Sequence, residues 1–69
     1  MKLSARNQLK GKITEIQEGA VNAIVKINVG NDNILTADIT IQSVKDLGLA
    51  VGKEAVAVIK STSVMVGVE

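Results

Sequence analysis

The sequence predicts a mainly β fold, all-β apart from one short helix: five short strands closing a small Greek-key barrel, with the helix between strands three and four. Three observations carry that expectation. Apolar residues recur at every second position through several short runs, turn-forming clusters separate the runs, and one six-residue stretch, Ser43 to Gly48, departs from the alternation.

The first strand is expected over much of residues 3–16, where Leu9, Gly11 and Ile13 alternate with Lys10, Lys12 and Thr14 before Glu18-Gly19 ends the run. Gly11 suggests a bulge or sharp bend, because glycine weakens a regular strand. The second strand lies within Ala20–Val29, where Val21, Ala23, Val25, Ile27 and Val29 have period two and only Ile24 breaks the polar face. Gly30-Asn31-Asp32-Asn33 then turns the chain into a third strand within Ile34–Ile41, the pattern of a hairpin with a short loop. Ser43 with Asp46 three residues on resembles a capping pair, and Gly48 sits where a left-handed residue would end the helix. Glu54–Lys60 and Ser63–Val68 are the fourth and fifth strands, joined by a polar turn at Lys60-Ser61-Thr62. Both carry apolar residues on both faces, so a second copy of the chain is expected to cover the outer one. This order of elements is that of an oligonucleotide/oligosaccharide-binding barrel, although the periodicity alone also permits another small barrel.

Composition limits what such a fold can do. At 69 residues the chain makes one domain, and a domain of that size buries only about 60% of the surface its unfolded form exposes. Hydrophobic residues reach 46% but aromatics 0%, so the core is built from small aliphatic side chains. With no cysteine for a disulfide and no histidine for zinc, oligomerisation is the expected supplement to so small a core. The same absences argue against metal-cation sites and catalytic triads. A net charge of +1 provides no general attraction to nucleic acid or anionic membranes. Apolar runs are interrupted every few residues and MKLSARNQLK lacks a signal-peptide core, so a free-standing, soluble, cytoplasmic protein is expected.

Two segments concentrate hydrogen-bond donors without a carboxylate: Ser4-Ala5-Arg6-Asn7 and Lys60-Ser61-Thr62-Ser63. Hydroxyls, a guanidinium, an ammonium and free backbone N–H groups are what a small dianion with only acceptor oxygens requires. Taken singly, each segment also reads as a solvated terminus or an ordinary turn.

The wider sequence around them is more specific. Ser4-Ala5-Arg6-Asn7-Gln8-Leu9-Lys10-Gly11, the central run Ile39–Leu49 (ITIQSVKDLGL) and the closing run Val58–Met65 (VIKSTSVM) together resemble the molbindins, with matching spacing over essentially the whole chain. These are small cytoplasmic molybdate-binding proteins, also called molybdenum-pterin-binding proteins; related modules occur in molybdate-responsive regulators and transporter ATPases. The resemblance implies a single Mop, or TOBE-like, domain over residues 1–69, six subunits arranged as a trimer of dimers, and molybdate or tungstate held at subunit interfaces. It implies that Ser4, Arg6, Lys60 and Ser61 are oxyanion ligands, with backbone N–H groups near Ala5 and Ser61 adding donors. A second class of sites is implied near the threefold axes. The helix start around Ser43 is a candidate for it, and a plain helix cap is the alternative there.

Physical chemistry agrees with this reading. Molybdate at neutral pH is a fully deprotonated tetrahedral dianion, whereas phosphate retains a proton that needs an acceptor. Arg6 and Lys60 would offset the two charges while Ser4 and Ser61 fix the orientation; sulfate must be rejected by size.

The competing readings are weaker. Single-strand nucleic-acid binding by such barrels depends on aromatic stacking, and a flat pterin would want the same platform; the chain has no Phe, Tyr or Trp. No catalysis is expected, because Glu15, Glu18, Asp32, Asp38, Asp46, Glu54 and Glu69 are scattered and none is paired beside a candidate nucleophile. Asp38, between Thr36 and Thr40, is the carboxylate expected at an interface.

Overall fold

The computed structural model describes residues 1–69. Its elements are β1 (Asn7–Glu18), β2 (Asn22–Asn28), β3 (Ile34–Thr40), α1 (Ile41–Asp46), β4 (Glu54–Ile59) and a 3₁₀ turn at Ser61–Ser63. The strands form one antiparallel sheet in the order β3-β2-β1-β4.

The twelve-residue β1 serves both halves of this sheet. Residues 7–12 pair with β4 and residues 12–18 with β2, so Lys12 faces Glu54 on one side and Asn28 on the other. The irregularity expected at Gly11 is instead at Thr14, where the register with β2 slips between Ile13 and Glu15. Gly11 is regularly paired with Ala55, and its missing side chain serves a close approach: a Cβ there would collide with the Asn28 carbonyl.

The β2–β3 hairpin forms as expected. Gly30, Asn31 and Asp32 all have positive φ, at 115°, 50° and 60°, and Val29 N–H donates to the Asn33 carbonyl at 2.9 Å across the turn. Period-two patterning directs Ala23, Val25 and Ile27 inward, where with Ile13 and Val44 they make up the buried core. Only these five of 69 residues are buried.

The helix starts earlier than the sequence suggested. Its N-cap is Thr40 rather than Ser43: Ser43 N–H donates to Thr40 Oγ1 at 3.0 Å, and the Thr40 hydroxyl donates to Ser43 Oγ at 2.8 Å. Asp46 takes no part in the cap and accepts from Gln42 Nε2 at 2.8 Å. Gly48 does end the helix, with φ of 62°; Gly48 N–H bonds Lys45 O and Leu49 N–H bonds Val44 O, the paired bonds of a Schellman motif. Val44 is thereby held in the core.

The predicted fifth strand is not a strand here. After β4 the chain makes its 3₁₀ turn, and residues 64–69 leave the sheet with Met65, Val66 and Val68 at least 90% exposed. The segment has strand-forming side chains but no strand beside it, and a strand exists only by pairing. The architecture is therefore a curled four-stranded sheet with one helix rather than a closed five-stranded barrel. Its curl brings the free edges of β3 and β4 to opposite sides of one apolar groove of about 650 Å³.

Candidate oxyanion site

The antiparallel register of β1 with β4 juxtaposes the two donor segments. Asn7 is paired with Ile59, the last step of the ladder, so Arg6 and Lys60 stand one residue beyond it on adjacent strand ends. The two segments thus meet within a single chain.

Three side-chain and backbone bonds hold them there. Asn7 Nδ2 donates to the Ile59 carbonyl at 3.2 Å, tying the start of β1 to the end of β4. Gln8 Nε2 donates to the Ala5 carbonyl at 2.8 Å, which bends the residues ahead of β1 back over it. Ser63 N–H donates to the Lys60 carbonyl at 2.9 Å and closes the 3₁₀ turn. Asn7 and Gln8 are positioning residues that composition did not distinguish from their neighbours; their only signal was adjacency to Ser4-Ala5-Arg6.

The ligand candidates themselves are uncommitted. Ser4, Arg6, Lys60 and Ser61 are exposed and Ala5 is half-buried. Their side chains contribute to none of the hydrogen bonds within the chain. The first turn of the 3₁₀ segment contains no acidic residue. The ends of β1 and β4 therefore present two cations, two hydroxyls and no carboxylate. This set can attract and orient a small anion, but it is open to solvent: all four residues are exposed and none lines either concavity of the chain.

Ser43 lies elsewhere, half-buried at the start of α1, with its N–H already bonded to Thr40 Oγ1. The structure places it in a cap. Asp38 is exposed on β3 and accepts from Asn22 Nδ2 at 3.0 Å. No group of three or more His, Cys, Asp or Glu residues is clustered for a metal cation, and no helix is long and apolar enough to cross a membrane.

Comparison with known proteins gives consistent results. The TOBE domain model matches residues 3–66. A probable molybdenum-pterin-binding protein of Haemophilus influenzae is 61% identical over 69 residues, covering 100% of both chains. Among solved structures, MopII from Clostridium pasteurianum superposes with a TM-score of 0.91 at 43% identity, covering 97% of this chain and 100% of that one. A molybdate-binding protein from Sporomusa ovata gives 0.89 at 39% identity, with 96% and 97% covered.

Proposed function

Because the chain belongs to the molbindins, the Mop-type molybdenum-pterin-binding proteins built on a TOBE domain, we propose that it binds molybdate at the interfaces of a homohexamer, a trimer of dimers, and holds molybdenum in reserve in the cytoplasm. Tungstate, of nearly equal size and charge, is bound by the same contacts. Ser4, Arg6, Lys60 and Ser61 are the side-chain ligands, and the N–H groups near Ala5 and Ser61 complete the donor set.

The observation that carries this reading is the Asn7–Ile59 register, which sets Arg6 beside Lys60 with no carboxylate in either segment. Two unpaired cations side by side repel, and a dianion between them reverses the sign of that interaction. Charge-assisted hydrogen bonds to it are worth roughly twice neutral ones. Monohydrogen phosphate would bring a proton that no nearby carboxylate can accept.

Exposure supports the placement at interfaces. An anion held by exposed residues keeps most of its hydration and gains little from their charges. Walls from other subunits exclude water and strengthen each contact. Ser43 belongs to a different place in the chain and is proposed only for a second, separate class of anion site, where its N–H already serves the helix cap.

Titration calorimetry with sodium molybdate tests the reading, and native mass spectrometry of the same samples counts subunits and bound anions. Arg6→Ala removes a charged hydrogen bond worth about 1.5–3 kcal/mol and is expected to weaken binding at least about tenfold. Unchanged affinity would exclude Arg6 from the site, and a wild-type chain that ignores molybdate would overturn the function. A parallel titration with a pterin is expected to give no heat, since no aromatic side chain is available to stack on it.

A further inference from the structure

A polar concavity of about 470 Å³ opens where the two ladders of β1 diverge. The β1–β4 ladder continues back to Asn7, but the β1–β2 ladder stops where Lys12 faces Asn28, and the chain turns away at Gly30. Lys10 therefore has Val56 beside it on β4 and no partner on β2. Gly11 permits the arrangement, since a Cβ there would strike the Asn28 carbonyl. Period-two alternation puts Lys10 and Lys12 on one face of β1, and direct cross-strand pairing puts Glu54 and Asn28 on that same face, on either side of Lys12. All four line the concavity. We propose that it binds a phosphate group that brings an O–H hydrogen with it, either hydrogen phosphate or a hydroxyl-bearing phosphate monoester.

Donors and acceptors in the concavity select that class. Lys10, Lys12 and Glu54 make no side-chain hydrogen bond within the chain, so two cations and one carboxylate are uncommitted. The Asn28 amide is fixed: its Oδ1 accepts from Gly30 N–H at 2.9 Å, which leaves Nδ2 free to donate. A fully deprotonated tetrahedral anion presents only lone pairs, and here some of them would face Glu54. Hydrogen phosphate instead donates its O–H to that carboxylate while its other oxygens accept from the two lysines and the amide. The alcohol O–H of a phosphate monoester can occupy the same place.

One carboxylate separates this site from the strand ends that bear Arg6 and Lys60. Those ends offer donors alone, whereas Lys12 has Glu54 directly across the ladder. The same carboxylate repels molybdate and sulfate, which carry no proton to give it. Lys10, Lys12 and Glu54 are exposed and Asn28 is half-buried, so water competes for each contact and a Kd on the order of 1 mM is expected. Val29 is the one apolar residue in the lining and the chain has no aromatic side chain, so a flat ring finds nothing to stack on. The proposal does not depend on the molybdate reading above.

Titration of the full chain near neutral pH with sodium phosphate, glycerol phosphate and sodium sulfate, followed by NMR of backbone and side-chain amides, tests the proposal. Saturable shifts of the Asn28 side-chain amide and of the Gly11 and Gly30 N–H groups are expected with a phosphate, and sulfate is expected to bind at least about tenfold more weakly. The tighter of the two phosphates identifies the source as the free anion or a monoester. Sulfate binding equal to phosphate overturns the proposal, as does the lack of a saturable shift at these groups with either phosphate. Glu54→Gln removes the carboxylate and is expected to bring sulfate within about twofold of phosphate; a preference that survives in this variant overturns the role of Glu54 and the proposal with it. Lys12→Gln is expected to weaken phosphate at least about fivefold and to leave molybdate affinity unchanged. If either variant does not fold, the sulfate comparison in the wild-type chain decides alone. Phosphate shifts at these groups in a chain that ignores molybdate support this site and overturn the oxyanion reading; molybdate binding in a chain without such shifts does the reverse.

Discussion

Asn7 joins the two halves of the candidate site through one amide, whose Nδ2 reaches the Ile59 carbonyl at 3.2 Å. Asn7→Ala removes that tie without touching a proposed ligand. It is expected to cost about 1 kcal/mol of stability in urea unfolding and to weaken molybdate severalfold by calorimetry, because Arg6 and Lys60 lose their fixed spacing. Gly11 makes a different demand. A Cβ there meets the Asn28 carbonyl, and main chain cannot swing aside as a flexible side chain can. Gly11→Ala is expected to destabilise by about 1–3 kcal/mol, seen as a lower urea midpoint. The sequence marked Gly11 as anomalous in a strand but not why. Alternation along one strand carries no information about which neighbour comes close, so a bulge and a close approach look alike until the pairing is known. The donor residues were legible for the opposite reason: their chemistry is local, and only their adjacency needed the β1–β4 register.

Short elements here are defined by their ends. α1 has six residues, too few to be stable through propagation of hydrogen bonds, so its cap and its buried Val44 hold it in place. Thr40→Ala is expected to cost about 1 kcal/mol by thermal or urea unfolding, whereas Thr40→Ser, which keeps the hydroxyl, is expected to cost much less. The sequence placed this cap at Ser43 because Ser-x-x-Asp resembles a capping box. Thr40 was disguised as the last polar residue of β3, since strand passes into helix there with no intervening loop. Gly48 was readable because a left-handed glycine after an apolar turn has few other uses. For residues 64–68 alternation predicted a strand that the chain does not form, because strand formation also requires a partner, and pattern within one chain cannot name one.

For the whole molecule, five buried residues are a small core, and the large aliphatic side chains left at the surface are correspondingly many. This imbalance was visible in the composition alone: high aliphatic content without aromatics, disulfides or metal ligands, in a chain too short to cover itself. What composition could not show was where the uncovered surface would fall. If association supplies the missing burial, the thermal midpoint depends on protein concentration, because assembly favours the folded state by mass action. Scanning calorimetry over a hundredfold dilution is expected to show that midpoint falling, and saturating molybdate is expected to raise it at every concentration. A midpoint independent of concentration would locate the stability within the single chain.

The division of β1 between two partners has a consequence during synthesis. Residues 12–18 find β2 as soon as the next few residues leave the ribosome, but residues 7–12 wait for β4, whose last paired residue, Ile59, lies 52 positions after its partner Asn7. Until β4 emerges the nascent polypeptide therefore carries one completed flank and one bare flank on the same strand. Contacts of such long sequence separation form late and slowly, leaving the newborn chain open to wrong pairings until β4 arrives.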